Sequence, residues 1–380
     1  MNNLLPICII FSLVHCYICA PFSAGNSGEA ISQCTIDTSY ISSPGDFKIT
    51  TKDRKYLPFD ENCEKSWKDP FMFVQAADTQ FGMQEKYVEK ITENYGWSKE
   101  IEWSTQLVAD VNGLSPRPKF LVVCGDLMDA WPKTEPEIRK RQMVDFKRIF
   151  TGLEVPLVCV CGNHDIGNTP NNETIISYKK DIGDDYFSFW ANGVFFIVIN
   201  SQFFKDATES KELAAEHEEW LEAQLEVVRT EKPKHAVVFQ HIPLFLASPD
   251  EDDQYFNFEK VLRIETLERF HDAGIRYVFT GHYHRNAGGF YKDLEVVVTS
   301  AAGVQLGDED PGYRIVKVLK DKMEHEYYNL GEAPREISFT ASSTKAISDS
   351  DNEKSASALV VPSLGTYSFC IISIYTIIFS

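Results

Sequence analysis

The stretch Leu157-Val-Cys-Val-Cys-Gly-Asn-His-Asp165 begins with five apolar residues and ends with an amide, an imidazole and a carboxylate. Short apolar or β-branched runs that are bounded by Gly or Pro are typical of buried strands. In four other blocks, polar side chains directly follow an apolar run: Asp78-Thr-Gln80, Gly125-Asp126, Gln240-His241 and Gly281-His-Tyr-His284. Because open α/β folds bind their ligands at the edge where the strands end, we expect the five blocks to converge there.

The side chains in these blocks are those that bind divalent cations. Carboxylate oxygen, amide oxygen and neutral imidazole suit Mn²⁺, Fe²⁺ or Zn²⁺, and no cysteine occupies a ligand position. A carboxylate such as Asp126 can bridge two cations roughly 3.5 to 4 Å apart, and a hydroxide held between them is deprotonated near neutral pH. The sequence contains neither a Gly-x-Ser-x-Gly elbow nor a Gly-x-x-x-x-Gly-Lys loop. These residues therefore predict hydrolysis of a phosphate ester by a hydroxide that bridges two metals.

From about residue 70 to 330 the chain resembles the calcineurin-like metallophosphoesterase superfamily. The pattern of that family is Asp-x-His, Gly-Asp, Gly-Asn-His-Asp/Glu, a lone His and Gly-His-x-His. The resemblance implies two divalent metal ions that share one carboxylate, with these ligands: Asp78, Asp126 and His284 for one ion, and Asp126, Asn163, His241 and His282 for the other.

The resemblance also implies a catalytic residue that is not a ligand. His164 would face the phosphate, where it would stabilise the transition state or protonate the leaving oxygen. Asp165 beside it would orient and charge the imidazole. A positioned acid of this kind contributes about 10²- to 10⁴-fold in rate.

The first block departs from the family pattern, because Gln80 stands where most members have His. A neutral amide oxygen is a weaker donor to a borderline metal than imidazole, so we expect the first site to bind its ion less tightly or to select a harder ion. Asp129 lies three residues after Asp126, where purple acid phosphatases have a Tyr that holds Fe³⁺, which argues against that group.

Three longer variants of the blocks are similar to a narrower group, the calcineurin-like phosphoesterase domain-containing protein 1 group, described as serine/threonine protein phosphatases. They are the segments 75–82, 240–245 and 281–289. We therefore expect a phosphatase for phosphomonoesters, including phosphoserine and phosphothreonine. A phosphodiesterase for nucleotides or lipid head groups is the alternative, since the same dinuclear core serves both. A non-catalytic surface binding module on this scaffold is the alternative from another class.

Periodicity predicts an α/β fold of mixed α+β type. Apolar residues recur three and four positions apart in five segments, which predicts helices over 84–95, 99–111, 136–150, 211–229 and 257–273. Further strands are expected at 194–199, 294–299 and 313–319. Strands separated by helices, followed by late consecutive strands, fit two packed mixed β-sheets flanked by helices, which is the four-layer metallophosphoesterase sandwich.

Charge and the two ends of the chain bear on partners and compartment. A formal net charge of −19 argues against nucleic acid or an anionic membrane surface as a partner. Residues 4–20 form an uncharged apolar run ending in small residues, which predicts a secretory signal peptide. A polar Ser-rich stretch and an apolar tail at the other end fit a glycolipid-anchor signal better than a spanning helix. We expect an extracellular protein held at the cell surface.

The expected domain organisation follows from these features. It is a signal peptide at 1–20, an N-terminal extension at 21–69, the metallophosphoesterase domain at 70–332, a polar linker at 333–358 and a hydrophobic tail at 359–380. Cys34 and Cys63 in the extension are candidates for a disulfide in an oxidising compartment. Asn172-Glu-Thr174 is a glycosylation sequon that follows the His164 block.

Overall fold

The computed structural model describes residues 37–42 and 45–339 of the 380-residue chain, and these belong to one compact unit. Within that part of the chain, no helix has the length and apolar character needed to cross a membrane. The predicted signal peptide, Cys34 and the C-terminal tail lie outside the described residues.

Five strands form the first sheet, in the order β13-β12-β3-β4-β5. Strands β3, β4 and β5 are parallel, whereas β12 runs antiparallel to both β3 and β13. The bounds are β3 Phe71–Ala76, β4 Leu121–Cys124, β5 Leu157–Val160, β12 Gly312–Val318 and β13 Met323–Asn329.

Eight strands form the second sheet, in the order β1-β2-β6-β7-β8-β9-β11-β10. The four central strands β7-β8-β9-β11 are parallel. Antiparallel pairs, β1 with β2 and β11 with β10, lie at the two ends of the sheet. The bounds are β1 Thr51–Lys52, β2 Lys55–Tyr56, β6 Phe187–Ala191, β7 Val194–Val198, β8 His235–Phe239, β9 Tyr277–Thr280, β10 Ala287–Tyr291 and β11 Leu294–Val298.

The two sheets pack face to face through an aromatic core. Phe73 of β3 stacks on Phe120 with ring centroids 5.0 Å apart, and its edge meets Phe196 and Phe239 of the second sheet at 5.6 Å. Side chains alternate along each strand, so Val122 of β4 joins this inner core while its neighbours face outward. Strands β4, β5 and β7 are apolar throughout because both of their faces are buried.

Helices cover the outer face of each sheet, which completes the predicted four layers. On the five-stranded sheet lie α2 Ser98–Gly113, α3 Pro136–Phe150 and α5 Asn172–Asp181, and on the eight-stranded sheet lie α7 Lys211–Glu231 and α8 Lys260–Ala273. The described residues also contain the single-turn helices α1 Glu61–Glu64, α4 Asn163–Ile166 and α6 Gln202–Lys205, and a 3-10 turn at Thr38–Tyr40. The predicted fold class is confirmed.

The helix expected over 84–95 is wrong. Only a π-type turn forms there, Gln84–Val88, and the chain then leaves helical geometry at Lys90 and Asn94, whose φ angles are 62° and 54°. Buried Glu100 holds the start of this turn through the Gln84 N–H, 2.7 Å away. Helix α5, the three single-turn helices and strands β1, β2, β6, β10 and β13 form in addition to the elements expected from the sequence.

The N-terminal segment contributes to the second sheet. Strand β2 pairs in parallel with β6, with Lys55 opposite Ser188. The Tyr56 hydroxyl donates to the Leu157 carbonyl at 3.1 Å, and the Arg54 guanidinium pairs with Asp185 at 2.7 Å. Cys63 is disulfide-bonded. Since Cys34 lies outside the described residues, its pairing with Cys63 stays a prediction.

Candidate metal centre

The five blocks converge where strands of the two sheets end. Asp78 and Asp126 follow β3 and β4 by two residues, and Asn163 opens α4 after β5. His241 and His282 follow β8 and β9 of the other sheet by two residues. All five side chains are buried. The prediction that strand ends bring these residues together is confirmed.

One group of side chains is compact enough to hold a cation. Ligand atoms of Asp126, His241 and His282 all lie within 4.8 Å of one another. His241 Nε2 is 3.3 Å from an oxygen of Asp126 and 3.0 Å from Asn163 Oδ1. The rings of His241 and His282 lie with centroids 4.7 Å apart. An amide oxygen, a carboxylate and two imidazoles therefore face one small space.

Backbone carbonyls fix the orientation of two of these imidazoles. His241 Nδ1 lies 2.8 Å from the Cys124 carbonyl, and His284 Nδ1 lies 2.6 Å from the Val304 carbonyl. A carbonyl only accepts, so each Nδ1 donates its hydrogen there, and Nε2 is the nitrogen that binds a cation when the ring is neutral. Metal-binding histidines commonly have this arrangement, because it sets both the tautomer and the direction of the ring.

A second group contains two oxygens that have no hydrogen-bond partner among the residues that the structure describes. Asp78 Oδ2 accepts the His282 N–H at 2.9 Å, whereas Asp78 Oδ1 is buried without a hydrogen bond, 3.4 Å from His284 Nε2. The side-chain oxygen of Gln80 is also buried and unpartnered. A buried acceptor without a partner is costly, by about 1–3 kcal/mol. These donors fit a cation, which would satisfy both oxygens.

Five residues of the centre have left-handed backbone conformations. The φ angles are positive at Asp78, Gln80, Asp126, His282 and His284, with values of 51°, 32°, 51°, 69° and 53°. A non-glycine residue in this region is strained by about 1–3 kcal/mol and persists only where the surroundings enforce it. Such clusters are typical of functional sites.

Close approach explains the glycines that precede two of the ligands. A Cβ atom at Gly162 would collide with the Asp126 carboxylate, and one at Gly125 would collide with the His241 ring. Gly125 also has a φ of 88°. The Gly in the Gly-Asp and Gly-Asn-His-Asp blocks is therefore required by the packing of one ligand against another.

The charged groups of the centre strongly shift one another's pKa values. Burial alone raises the pKa of Asp126, but the imidazoles of His241 and His164 bring it well below the usual range. Burial lowers the pKa of His241, yet Asp126 and Asp78 outweigh it and raise the value to about 9. Burial and the neighbouring His241 lower the pKa of His282. The two carboxylates thus create a field that favours positive charge, as a cation site needs.

His164 lies at the edge of the centre and is held on three sides. Its backbone N–H donates to Asp126 Oδ1 at 2.8 Å, and its Nδ1–H donates to the Asp129 carbonyl at 2.6 Å. The Trp131 ring stacks on the imidazole with centroids 4.1 Å apart. Its Nε2 has no hydrogen-bond partner in the described part of the chain, so this nitrogen is the one available to a substrate.

The expected contact between Asp165 and the His164 imidazole is wrong. The Asp165 carboxylate instead accepts the backbone N–H groups of Gly162, at 2.9 Å, and Leu127, at 3.1 Å. A carboxylate at the third position of a helix commonly reaches back to the residue before the helix, and Asp165 has that position in α4. Burial raises its pKa to about 6. Asp165 therefore joins two ligand-bearing loops.

Arg139 of α3 is a supporting residue that the sequence did not reveal. Its guanidinium donates to the carbonyls of Ala130, His164 and Asp165 at 2.8 to 3.1 Å. It is buried, although it occurs in a helix whose sequence is rich in solvated charges. Nothing in the local pattern distinguishes it from the other basic residues of α3.

Tyr255 is a second residue near the centre that the sequence did not reveal. Asn163 Nδ2 donates to its hydroxyl at 3.3 Å, and its ring lies 5.1 Å from that of His282.

Next to these blocks, Tyr283 and Arg285 line an open groove of about 680 Å³, which Leu246 and Glu309 also line. The groove is large enough for part of a substrate.

The fold and this centre define a metallophosphoesterase. The sequence profile of the calcineurin-like phosphoesterase family matches residues 71–286. The chain belongs to that family, and the predicted membership is confirmed.

Curated relatives narrow the class. The chain is 48% identical over 278 residues to serine/threonine-protein phosphatase CPPED1 of Bos taurus, which covers 72% of this chain and 88% of the relative. It is 46% identical over 284 residues to the Homo sapiens protein of that name, covering 73% and 90%. The chain is therefore a metal-dependent phosphatase, and the predicted hydrolase is confirmed.

Solved structures support the fold at low identity. A dimetal phosphatase from Danio rerio is similar with a TM-score of 0.53 and 13% identity, covering 70% of this chain and 98% of that one. A purple acid phosphatase from yellow lupin has a TM-score of 0.51 and 14% identity, covering 70% and 52%. Both likenesses concern the architecture alone.

Proposed function

We propose that this phosphatase hydrolyses phosphomonoesters of the phosphoserine and phosphothreonine type with two divalent cations. The observation that carries the proposal is the position of Asp126. Its carboxylate lies 3.3 Å from His241 Nε2 and belongs to the compact group with His282, while the adjacent loop presents the unpartnered oxygens of Asp78 and Gln80. A carboxylate in one set of donors, with a second set of donors on the adjacent loop, is an arrangement that suits a pair of cations.

The ligand assignment follows from these two sets. Asp78, Asp126 and His284 would hold one cation, and Asp126, Asn163, His241 and His282 would hold the other. The donors are oxygen and imidazole nitrogen, which suits Mn²⁺, Fe²⁺ or Zn²⁺. Buried Cys124 donates weakly to the Phe279 carbonyl and contributes no sulfur ligand.

The protein groups have separable tasks in the reaction. The cations, when bound, supply Lewis-acid chemistry that polarises a phosphate ester and lowers the pKa of a water molecule. Asp126 Oδ1 accepts the backbone N–H of His164 and so fixes the imidazole relative to the ligands. With Nδ1 engaged at the Asp129 carbonyl, His164 presents Nε2 to the phosphate, where it stabilises negative charge or gives a proton to the leaving oxygen.

A substrate panel tests the reaction class. Purified protein with added Mn²⁺ is assayed on phosphoserine and phosphothreonine peptides, nucleotides and a bis-aryl phosphodiester, with Asp126→Asn as the matched inactive control. We expect the phosphopeptides to be hydrolysed with the highest kcat/KM. Preferential cleavage of the diester would replace the proposal with a phosphodiesterase, and equal rates in wild type and Asp126→Asn would remove the metal centre from the reaction.

We also propose that the protein is exported and held at the cell surface by a glycolipid. The apolar N-terminal run and the Ser-rich, apolar C-terminal segment support this, although both lie outside the described residues. The disulfide at Cys63 and the exposed position of Asn172 at the start of α5 are consistent with an oxidising compartment.

Two enzymatic treatments test the location. Release of the protein from intact cells by a phosphatidylinositol-specific phospholipase is expected, and digestion with an N-glycosidase should increase its electrophoretic mobility. An Asn172→Gln variant is the control for the second treatment. Protein that stays inside the cell and has a free amino terminus at Met1 would contradict export.

A further inference from the structure

Gln80 has a side-chain amide whose two ends have different surroundings. Its Nε2 donates to Asp129 Oδ1 at 3.2 Å, and its backbone N–H donates to the Asp126 carbonyl at 3.0 Å. Its Oε1 is buried and has no hydrogen-bond partner among the described residues. The amide therefore lies against the loop that carries Asp126, with only its nitrogen satisfied.

Asp129 determines which way the amide faces. Asp129 accepts from the Gln80 NH₂ group on one oxygen and from the Lys86 ammonium on the other, so the amide nitrogen points toward the carboxyl group and the amide oxygen points away. Lys86 lies 3.2 Å from the other oxygen of Asp129 and stabilises the charge. Glu135, 2.7 Å from Lys86, holds the ammonium in place, and the hydroxyl of Tyr95 donates to Glu135 at 2.9 Å.

The unpartnered oxygen of Gln80 belongs to the same loop as that of Asp78. Both residues have left-handed backbone conformations, and Asp78 Oδ1 and Gln80 Oε1 are both buried with no hydrogen bond in the described part of the chain. Asp78 Oδ1 lies 3.4 Å from His284 Nε2, which places an imidazole beside Asp78. The two buried acceptors and this imidazole, in its neutral form, are a donor set that a cation would complete.

From this geometry we infer that Gln80 is a ligand of the first cation through Oε1, and that Asp129 with Lys86 positions its amide. The inference rests on the two-cation arrangement proposed above and adds a ligand and its supporting pair. An amide oxygen in place of imidazole gives the first site two oxygen side chains of its own, which favours a harder cation such as Mn²⁺ or Mg²⁺ over Zn²⁺.

Substitution of Asp129 by Asn should reverse the amide. Lys86 donates only, so it would occupy the single oxygen of the new side chain and turn its NH₂ group toward Gln80. Two NH₂ groups cannot bond to each other, so Gln80 would turn and present Nε2 to the cation. Removing Lys86 as well would free the oxygen of the new side chain to accept from Gln80 again.

The test measures Mn²⁺ binding by titration calorimetry after chelator treatment, with stoichiometry checked by elemental analysis. We expect two Mn²⁺ in wild type, loss of the weaker one in Gln80→Met, and affinity about 10- to 100-fold lower at that site in Asp129→Asn, the usual range for an outer-shell partner. Adding Lys86→Met to Asp129→Asn should restore the affinity. Adding Asp129→Asn to Gln80→Met should have no further effect.

Tyr95→Phe is the matched control, since it removes a hydroxyl at the far end of the same network and should leave both Mn²⁺ affinities unchanged. Thermal unfolding of each variant verifies that it folds. Two Mn²⁺ bound by Gln80→Met with wild-type affinity would overturn the inference, as would an Asp129→Asn variant that Lys86→Met does not restore. Fewer than two Mn²⁺ in wild type would instead contradict the two-cation arrangement itself.

Discussion

The two halves of the metal centre differ in how completely the protein satisfies its own polar groups. Around Asp126, Asn163 and His241, ligand atoms lie 3.0 to 3.3 Å apart and neighbouring backbone groups hold each side chain. Around Asp78 and Gln80, two buried oxygens have no hydrogen-bond partner in the described part of the chain. The group around Asp126 is pre-organised without a cation, whereas the Asp78 and Gln80 group needs a cation to satisfy its buried oxygens.

This difference has a physical consequence for metal affinity. A site whose donors are already arranged loses little conformational freedom on binding, and its imidazoles are strong donors to borderline cations. The Asp78 and Gln80 half has only one imidazole, that of His284. We therefore expect the cation at Asn163, His241 and His282 to be held tightly and the cation at Asp78 and His284 to exchange.

The largest expected effect comes from removing the carboxylate that the two halves share. Asp126→Asn should lower hydrolysis by more than about 10³-fold, because loss of even one electrostatic group at a reacting centre costs about 10² to 10³. Metal content should fall at both sites. Asn163→Ala is the comparison, since it should empty the site at His241 and His282 while the other site keeps Asp78 and His284. Full activity in a metal-replete Asp126→Asn protein would contradict the assignment of Asp126 as a ligand shared by the two cations.

The next effect separates chemistry from metal binding. His164→Ala should cut kcat by about 10²- to 10⁴-fold while both halves keep their metal, because no metal ligand is removed. The loss should be smaller with p-nitrophenyl phosphate than with a phosphoserine peptide, since p-nitrophenolate needs little protonation. An equal loss on both substrates would show that Nε2 stabilises the phosphoryl oxygens instead of donating a proton.

Gln80→His tests the weaker half directly. Imidazole should bind a borderline cation more tightly than the amide oxygen, so the Mn²⁺ concentration for half-maximal activity should fall by about 10-fold. Activation curves after dialysis against a chelator provide the measurement, and Tyr95→Phe should match wild type. Wild-type protein that keeps two cations through this dialysis would show that the halves do not differ.

The smallest effect concerns a buried histidine outside both halves. His217 of α7 accepts the Asn200 N–H at 3.3 Å, and burial lowers its pKa to about 3. Because this folded-state pKa lies below the unfolded value near 6.5, its contribution to stability is complete above pH 6.5 and is lost as the pH falls toward 3. Between pH 7 and 5 the unfolding free energy should fall by about 2 kcal/mol from this group.

His217→Gln keeps an acceptor for Asn200 and does not titrate, so it is the matched variant. Denaturant unfolding at pH 7 and pH 5 should show a shallower pH dependence in this variant than in wild type. Identical dependence in the two proteins would assign the acid sensitivity to other groups. His241 is buried as well, but the carboxylates of Asp126 and Asp78 raise its pKa to about 9. Neighbouring carboxylates thus distinguish a histidine of the candidate metal centre from a buried structural histidine such as His217.

The sequence predicted the parts of the centre that follow strands. Ligands such as Asp126 and His241 come two residues after apolar runs, and a strand ending fixes where the next residues lie. It did not reveal Arg139 or Tyr255, which reach the centre from a helix and a long loop through tertiary packing. The role expected of Asp165 was wrong because sequence adjacency to His164 does not decide where a side chain points at the start of a helix.

Secondary structure failed where local patterns were weak or were overridden. The amphipathic pattern over 84–95 gave way to a π-type turn, because Glu100 holds its start and Lys90 leaves helical geometry. Helix α5 is short and has a narrow apolar face, so its period is hard to distinguish from a loop. Long helices such as α7 were predicted nearly to their ends.

The pairing of β2 with β6 determines how the protein can be shortened in the laboratory. A recombinant protein that starts at residue 70, where the metallophosphoesterase pattern begins, would lack the strand that covers β6. The backbone of Ser188 in the aromatic strand β6, which lies opposite Lys55 and whose N–H donates to the Arg54 carbonyl, would then lie on an open sheet edge, which is a template for aggregation. Proteins for crystallisation should therefore keep β1 and β2, and also Cys34, the predicted partner of the disulfide-bonded Cys63.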